Sequence, residues 1–531
     1  MPVISTVRRS LQLGRLGVDM VRSRRRPDGP GREAARRLIA ARMGRMRGLP
    51  QKIGQLMSLG APDSDTEIFG TLTDAAEQVP ASEAFAWIAE ALGLPVTRLF
   101  QTLDPHGAAA SLGQVHRGTL PDGRAVAVKV QYPGIRESLD ADLASLGWLA
   151  APLSAGRSGF DLDDYRRELR GSLLGELDYR REVATLDRFA ARAAEVPGLV
   201  TPVPISELCT PRVITMTWVE GVRLEATEPW PAVVRHELAL TLVRFFLRGC
   251  FAWGEVHADP HAGNFRFSQE GGEASVGVLD FGCVKTLDVR ERYGLRRLLQ
   301  HAEDMSDGEL LEAYCDAGFK PALLEPMAPR LRAVTAVLFE PFYARGPYDA
   351  RAWRLSERLT AVLAEDRWNF RFAGPASLLY LVRAFQGLVQ HMRQLEAVVD
   401  WRQELAVLPA QDAPIGPGHR AVPATTVLAI AAPAITVPAV TVHSQGDRGS
   451  MAASSLRLSV VRDGAPVVQL TFAATVISHL EELMPVEILA RIQEQGIDIR
   501  DISARAIARG CPPGDLVVLD DGEKTVRVWL E

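Results

Sequence analysis

The sequence predicts an α+β protein of more than one domain. Two observations carry this. Short stretches of alternating apolar and polar residues, bounded by Gly, Pro and Asp, occur early in the chain and again at its far end. Between them lie long stretches with helical spacing of apolar residues, such as "SLLYLVRAFQGLVQHMRQLEAVV" from Ser377 to Val399. At 531 residues the chain also exceeds what one ordinary core accommodates.

Four regions follow in order. Residues 1–48 form an Arg-rich arm (Arg8, Arg9, Arg24, Arg25, Arg26 among others) with few acids. Such an arm is either a solvated segment or a basic one that meets anionic lipid head groups. Residues 49–405 hold the early strands and the long helices. Residues 406–453 are a Pro/Ala/Thr-rich linker. Residues 454–531 read as a small α+β module. There "LRLSVV" and "PVVQLTF" form one hairpin, "DLVVLDDGEKTVRVWLE" forms another, and helical patterns lie around Pro485. No nucleophile, metal cluster or phosphate loop stands out in this module, so a binding role and a protein partner are expected of it.

A net charge of −5 argues against general nucleic-acid binding, which needs a basic surface. The five cysteines are scattered without a CxxC pair, which disfavours zinc and disulfides and fits a reducing cytosol. The apolar run from Ala421 to Val442 is long enough to span a bilayer. Pro423, Pro433 and Pro438 instead suit an extended linker, with membrane contact as the alternative.

The chemistry is concentrated in three places. From Ala108 to Val130, "AAASLGQVHRGTLPDGRAVAVKV" reads as loop, strand, Pro121-Asp122-Gly123 turn and strand. Lys129, within "VAVKV", is either an edge charge facing water or the lysine that reaches the α/β-phosphates of a nucleotide. The preceding loop, with Ala108, Ala109, Ala110, Ser111 and Gly113, would cover those phosphates. It is Ala-rich, so its backbone is less free to approach them closely. "GELDYRREVATLDRF", Gly175 to Phe189, reads as one helix. Asp178 and Glu182 then share a face and Glu176 points away from both. They are an exposed acidic surface, or Glu182 pairs with Lys129. "RVITMTWVEG", Arg212 to Gly221, reads as a strand and loop at the place where backbone groups would meet adenine.

The third place is "VHADPHAGNF", followed by "VLDFGCV". Asp259 precedes Asn264 by five positions, the catalytic-loop spacing of protein kinases, and Asp280 opens a DFG after a stretch that reads as a hairpin. Asn264 and Asp280 are hard oxygen donors for Mg²⁺, and Asp259 would orient an attacking hydroxyl or water. His257 is read as a brace for the loop.

One further motif precedes all of these: "PQKIGQLMSL", with Lys52 and Gln55 in KxGQ. KxGQ, AAAS, VAVK, ExD (Glu176/Asp178), HxDPHxGN and DFG stand in an order that resembles the UbiB/AarF family of atypical kinase-like ATPases, associated with quinone and isoprenoid-lipid metabolism. The resemblance implies a bilobal protein-kinase-like fold with an N-terminal helical KxGQ extension folded over the active site. It also implies ATP and Mg²⁺ as ligands, with Lys52 approaching Glu176 and Gln55 near the nucleotide, which leaves Glu182 to Lys129. ATP hydrolysis beside an isoprenoid lipid or an anionic membrane surface is the expected activity. The expected location is cytoplasmic, peripheral to the inner face of the membrane. Ala262 stands where the family has Pro, and the linker and terminal module stand where many relatives have transmembrane helices. A true phosphotransferase acting on a small molecule or protein, and a nucleotide-sensing scaffold without turnover, are the alternatives.

Overall fold

The computed structural model describes residues 78–109, 112–136, 162–375, 377–409, 455–462, 465–473, 477, 498–520 and 524–531. The basic arm, the KxGQ segment with Lys52 and Gln55, Ala110, Ser111, the apolar run at 421–442 and the helical pattern around Pro485 lie outside the described residues. The described residues fall into two compact units, one within 78–409 and one within 455–531.

The first unit begins with helix α1 (Ala81–Leu92) and a sheet of β1 (Thr102–Leu103), β2 (Ala108–Ala109), β3 (Gly113–Thr119), β4 (Ala125–Gln131) and β6 (Val213–Thr217). The order is β1-β3-β4-β6, with β2 paired to β3. The β3–β4 turn forms because Gly123 takes a positive φ of 90° and Asp122 accepts the Arg124 amide at 3.0 Å. β4 is therefore a central strand, and its side chains alternate between two covered faces. Val126, Val128 and Val130 pack with Ile88 and Val213. Ala127 faces the other way, into a core shared with Tyr179, Leu186 and Phe281.

Two helices then follow, α2 (Leu162–Glu176) and α3 (Tyr179–Arg192). The sequence reading of one helix through 175–189 is corrected here. The chain breaks at Leu177–Asp178, and Asp178 is the N-cap of α3, its carboxylate accepting the Arg181 amide at 3.2 Å. The reason is the short acidic side chain itself, which satisfies an amide the helix start leaves open. Asp178 therefore does not share a helical face with Glu182. Along α3, Tyr179, Glu182, Thr185, Leu186 and Phe189 form the buried stripe.

The remaining part is mainly helical: α4 (Ala232–Arg248), α5 (Val289–His301), α6 (Asp307–Asp316), α7 (Ala328–Leu338), α8 (Leu378–Leu395) and α9 (Trp401–Ala406) are its principal helices. Short strands of three further small sheets lie among or before these helices in sequence. β7 (Glu255–His257) pairs with β10 (Val284–Thr286), and β8 (Phe265–Ser268) with β9 (Ser275–Val278), both antiparallel. A short β5 (Leu199–Val200) joins β9 in parallel, and farther along β11 (Tyr348–Asp349) pairs antiparallel with β12 (Val398–Val399). The β8–β9 connection carries Gly271 and Gly272 at positive φ, as its hairpin reading requires. α9 straddles the expected boundary at 405, and Leu408 still packs in the core.

The second unit is an antiparallel sheet in the order β14-β13-β16-β15. It is built from β13 (Ser455–Arg462), β14 (Ala465–Ala473), β15 (Gly514–Asp520) and β16 (Lys524–Leu530), with helix α10 (Ile499–Ala508). Both expected hairpins are present in it. Among the described residues no helix is long and apolar enough to cross a membrane.

Candidate active site

The pattern of β4 decides where Lys129 points. Its neighbours Val128 and Val130 face α1, so Lys129 shares the opposite face with Ala127 and is buried against α3. Lys129 Nζ lies 2.7 Å from Glu182 Oε1 and 3.0 Å from Asp280 Oδ2, and 5.3 Å from the centre of the Tyr179 ring. It is no edge charge. Burial works against the Lys129 cation, yet Asp280 and Glu182 together hold its pKa well above the ordinary value. For Glu182, burial outweighs Lys129 and raises the carboxyl to about 7. For Asp280, partial burial is outweighed by Lys129 and by the Gly282 amide, and its carboxyl falls below the ordinary value.

Gly113 is required by close approach. A Cβ there would lie 2.3 Å from the Val130 carbonyl oxygen and 3.1 Å from the Tyr179 hydroxyl. Packing of β3 on β4 and α3 thus accounts for this glycine by itself. Ala108 and Ala109 form strand β2 against Val115 and Gln114, so the loop expected over the phosphates is in part a hairpin. Gln114 is buried beneath it and accepts the Val79 amide at 2.9 Å.

The catalytic-loop segment is fixed from several sides. Ala258 N donates to Cys283 O at 2.9 Å, and Leu279 N donates to Asn264 O at 2.9 Å. These bonds, with the β7–β10 and β8–β9 pairs, bring residues 258–264 beside residues 279–283. His257 Nε2 is 2.7 Å from the Asp280 carbonyl oxygen, which is the brace expected of it, and burial lowers its pKa. The Asp280 carboxylate accepts the Gly282 amide at 2.8 Å. Phe281 is buried, with its ring centre 4.7 Å from that of Phe189 on α3. Glu255, just before this segment, takes Arg188 and Arg192 of α3 at 2.7 Å each. The helix that carries Glu182 is thereby tied to the strand that leads to Asp259.

Asn264 Nδ2 donates to the Asp259 carbonyl oxygen at 3.1 Å, which orients the carboxamide, and its oxygen meets no donor among the described residues. With the Asp280 carboxylate this is a pair of hard oxygen donors. That set suits Mg²⁺, which takes one or two protein ligands and completes its shell with water and phosphate. Glu176 is buried at the end of α2, and its predicted contact with Lys52 lies outside the described residues.

One residue was missed by the sequence reading. Arg383 of α8 is buried and forms an ion pair with Asp259 Oδ1. Burial disfavours its charge, and Asp259 more than offsets this, so its pKa is raised. A signal was present: in "LLYLVRAFQGLV" a single charge sits within an apolar helical run.

A sheet-borne lysine held by a helix glutamate, beside Asp259, Asn264 and a DFG aspartate, defines the site of a kinase-like fold. Residues 71–313 match the family model of the ABC1 atypical kinase-like domain. That match supports the resemblance of this segment to the UbiB/AarF family of atypical kinase-like proteins. It is 31% identical over 291 residues to the atypical kinase coq-8, mitochondrial, of Caenorhabditis elegans, covering 53% of this chain and 38% of that one. It is 30% identical over 326 residues to the atypical kinase COQ8B, mitochondrial, of Rattus norvegicus, covering 60% of this chain and 61% of that one. The chain therefore spans about two-fifths to three-fifths of the length of these relatives. Among solved structures, the Rv3197–erythromycin complex from Mycobacterium tuberculosis aligns with 68% of this chain and 92% of its own. The identity there is 24% and the TM-score 0.46.

Proposed function

We propose that the unit within residues 78–409 binds Mg²⁺–ATP and hydrolyses it, in support of isoprenoid-lipid or quinone-related metabolism. The observation that carries this reading is the meeting of Lys129 with both Glu182 and Asp280 beside the Asp259–Asn264 segment. A buried ammonium held by two carboxylates is a point charge aimed where phosphate oxygens would sit. Glu182 orients it. Asn264 and Asp280 hold Mg²⁺, which when bound neutralises charge on the phosphates.

Asp259 orients the attacking water. The water oxygen forms a bond to the terminal phosphorus, the bond from that phosphorus to its bridging oxygen breaks, and ADP and phosphate leave, with the water's surplus proton passing to a phosphate oxygen or to solvent. Ala108, Ala109, Ala110, Ser111 and Gly113 cover the phosphates in this reading. Lys52 and Gln55 close the site near Glu176 and restrict it to water. The family resemblance supports the lipid context, with an anionic membrane surface as the place of action. The module of residues 454–531 serves as the binding element for a protein partner.

The test is phosphate release from ATP by the purified chain with Mg²⁺, with and without liposomes containing anionic lipid. Hydrolysis that needs Asp280 and rises with liposomes supports the reading. A phosphorylated product in place of free phosphate would shift the assignment to a phosphotransferase. ATP binding without turnover would shift it to a scaffold.

A further inference from the structure

Helix α8 begins 65 positions beyond the end of the matched family domain, yet one of its faces is devoted to the catalytic segment. Tyr380 forms a buried cluster with Ala258 and Cys283. Arg383 takes the carboxylate of Asp259. Gly387 lies against Pro260, where a Cβ would come 2.2 Å from Pro260 Cβ and 2.3 Å from its Cγ. His391 presents its ring edge-to-face to Phe265, at 4.9 Å between centres. The steps of three, four and four place these residues on one helical face. Their order along the helix follows the order of their partners along the loop.

Two of them are poor choices for a helix that has only to pack. A buried arginine must be paired to be tolerated, and a buried ion pair is no better for stability than a well-packed apolar pair. A glycine within a helix lowers its stability. Both irregular residues are four positions apart and both meet the same dipeptide, Asp259–Pro260. Departures from local rules that converge on one point mark a functional constraint.

We propose that α8 is the positioning element of the catalytic segment, with Arg383 fixing the Asp259 carboxylate and Gly387 admitting the Pro260 ring so that the carboxylate stays in register. The proposal rests on the reading of Asp259 as the residue that orients the attacking oxygen.

The experiment uses the full chain and two readouts, hydrogen exchange of the peptide spanning 256–265 and phosphate release from Mg²⁺–ATP. The variants are Arg383→Met, Arg383→Lys, Gly387→Ala, Pro260→Gly and the pair Gly387→Ala/Pro260→Gly. Protection of the β3–β4 peptides serves as the control for folding. Arg383→Met and Gly387→Ala are expected to speed exchange in 256–265 and leave β3–β4 unchanged. They should also lower kcat by about 10²-fold, the loss typical of a small misplacement, with KM for ATP held within about twofold. Arg383→Lys should recover part of the kcat. The paired variant should lose no more than Pro260→Gly alone, because removing the ring removes the clash. Unchanged exchange in 256–265 overturns the proposal, and so does unchanged kcat in an active wild type. If the wild type releases no phosphate, the hydrolysis reading fails and the exchange data alone decide the role of α8.

Discussion

Lys129 and Glu182 lie 53 positions apart in the chain and meet at 2.7 Å, with both side chains buried. The pair exists because β4 is covered on both faces and because Asp178 caps α3 at Tyr179, which sets Glu182 one turn into the buried stripe.

Removing one partner should therefore cost more than removing both. Lys129→Met leaves Glu182 buried beside Asp280 and Glu176 without its counter-charge, and a loss of about 3 kcal/mol is expected for breaking such a pair. Lys129→Met/Glu182→Gln should regain part of that loss. Urea unfolding of the two single variants and the double gives the coupling, and simple additivity would contradict the account.

Gly113 supplies a steric prediction. With the Val130 carbonyl oxygen 2.3 Å from the site of a Cβ, Gly113→Ala forces β3 away from β4. A loss of about 2 kcal/mol is expected, in the range of overpacked cores. Thermal unfolding measures it, and an unchanged midpoint would show that the sheet yields freely there.

His391 gives the fold an acid-sensitive group. Burial chiefly, and then the charges of His261 and His257, lower its pKa to about 4. The unfolded chain takes up a proton near the ordinary value of about 6.5, before the native ring does. Stability should be unaffected above that pH and fall as pH drops from about 6.5 to about 4, by about 3 kcal/mol in total for this ring. His391→Leu should flatten the slope of stability against pH in that window by about one proton. An identical slope in wild type and variant would remove His391 from the account.

Much of the site was legible because its signals are local. The alternation in "VAVKV", the turn at Asp122-Gly123 and the five-residue step from Asp259 to Asn264 each depend on neighbours in the chain. The helix break at Leu177–Asp178 was not legible from periodicity, because a capping aspartate leaves the apolar spacing on either side nearly intact. Arg383 was missed for a different reason. Its partner is 124 positions away, and only the fold brings α8 to the catalytic segment. Gly113 illustrates the converse case. It was read as part of a nucleotide loop, and the structure supplies a packing reason for it as well.

The proposed Mg²⁺ site sets a requirement on Asp280. With its carboxylate paired to Lys129, Asp280→Asn removes a counter-charge from the lysine and, if the proposed role holds, an oxygen charge from Mg²⁺ as well. Isothermal titration with ADP, with and without Mg²⁺, should show that Mg²⁺ tightens binding to the wild type by about tenfold or more, and much less to the variant. Equal Mg²⁺ dependence in both would exclude Asp280 as a ligand.

The measurement that bears most directly on the central claim is phosphate release from ATP by the purified full chain with Mg²⁺, beside Asp280→Asn. Steady release by the wild type and a loss of about 10²-fold or more in the variant are expected. No release by the wild type under conditions where it binds Mg²⁺–ATP, or equal release by both proteins, would contradict that claim.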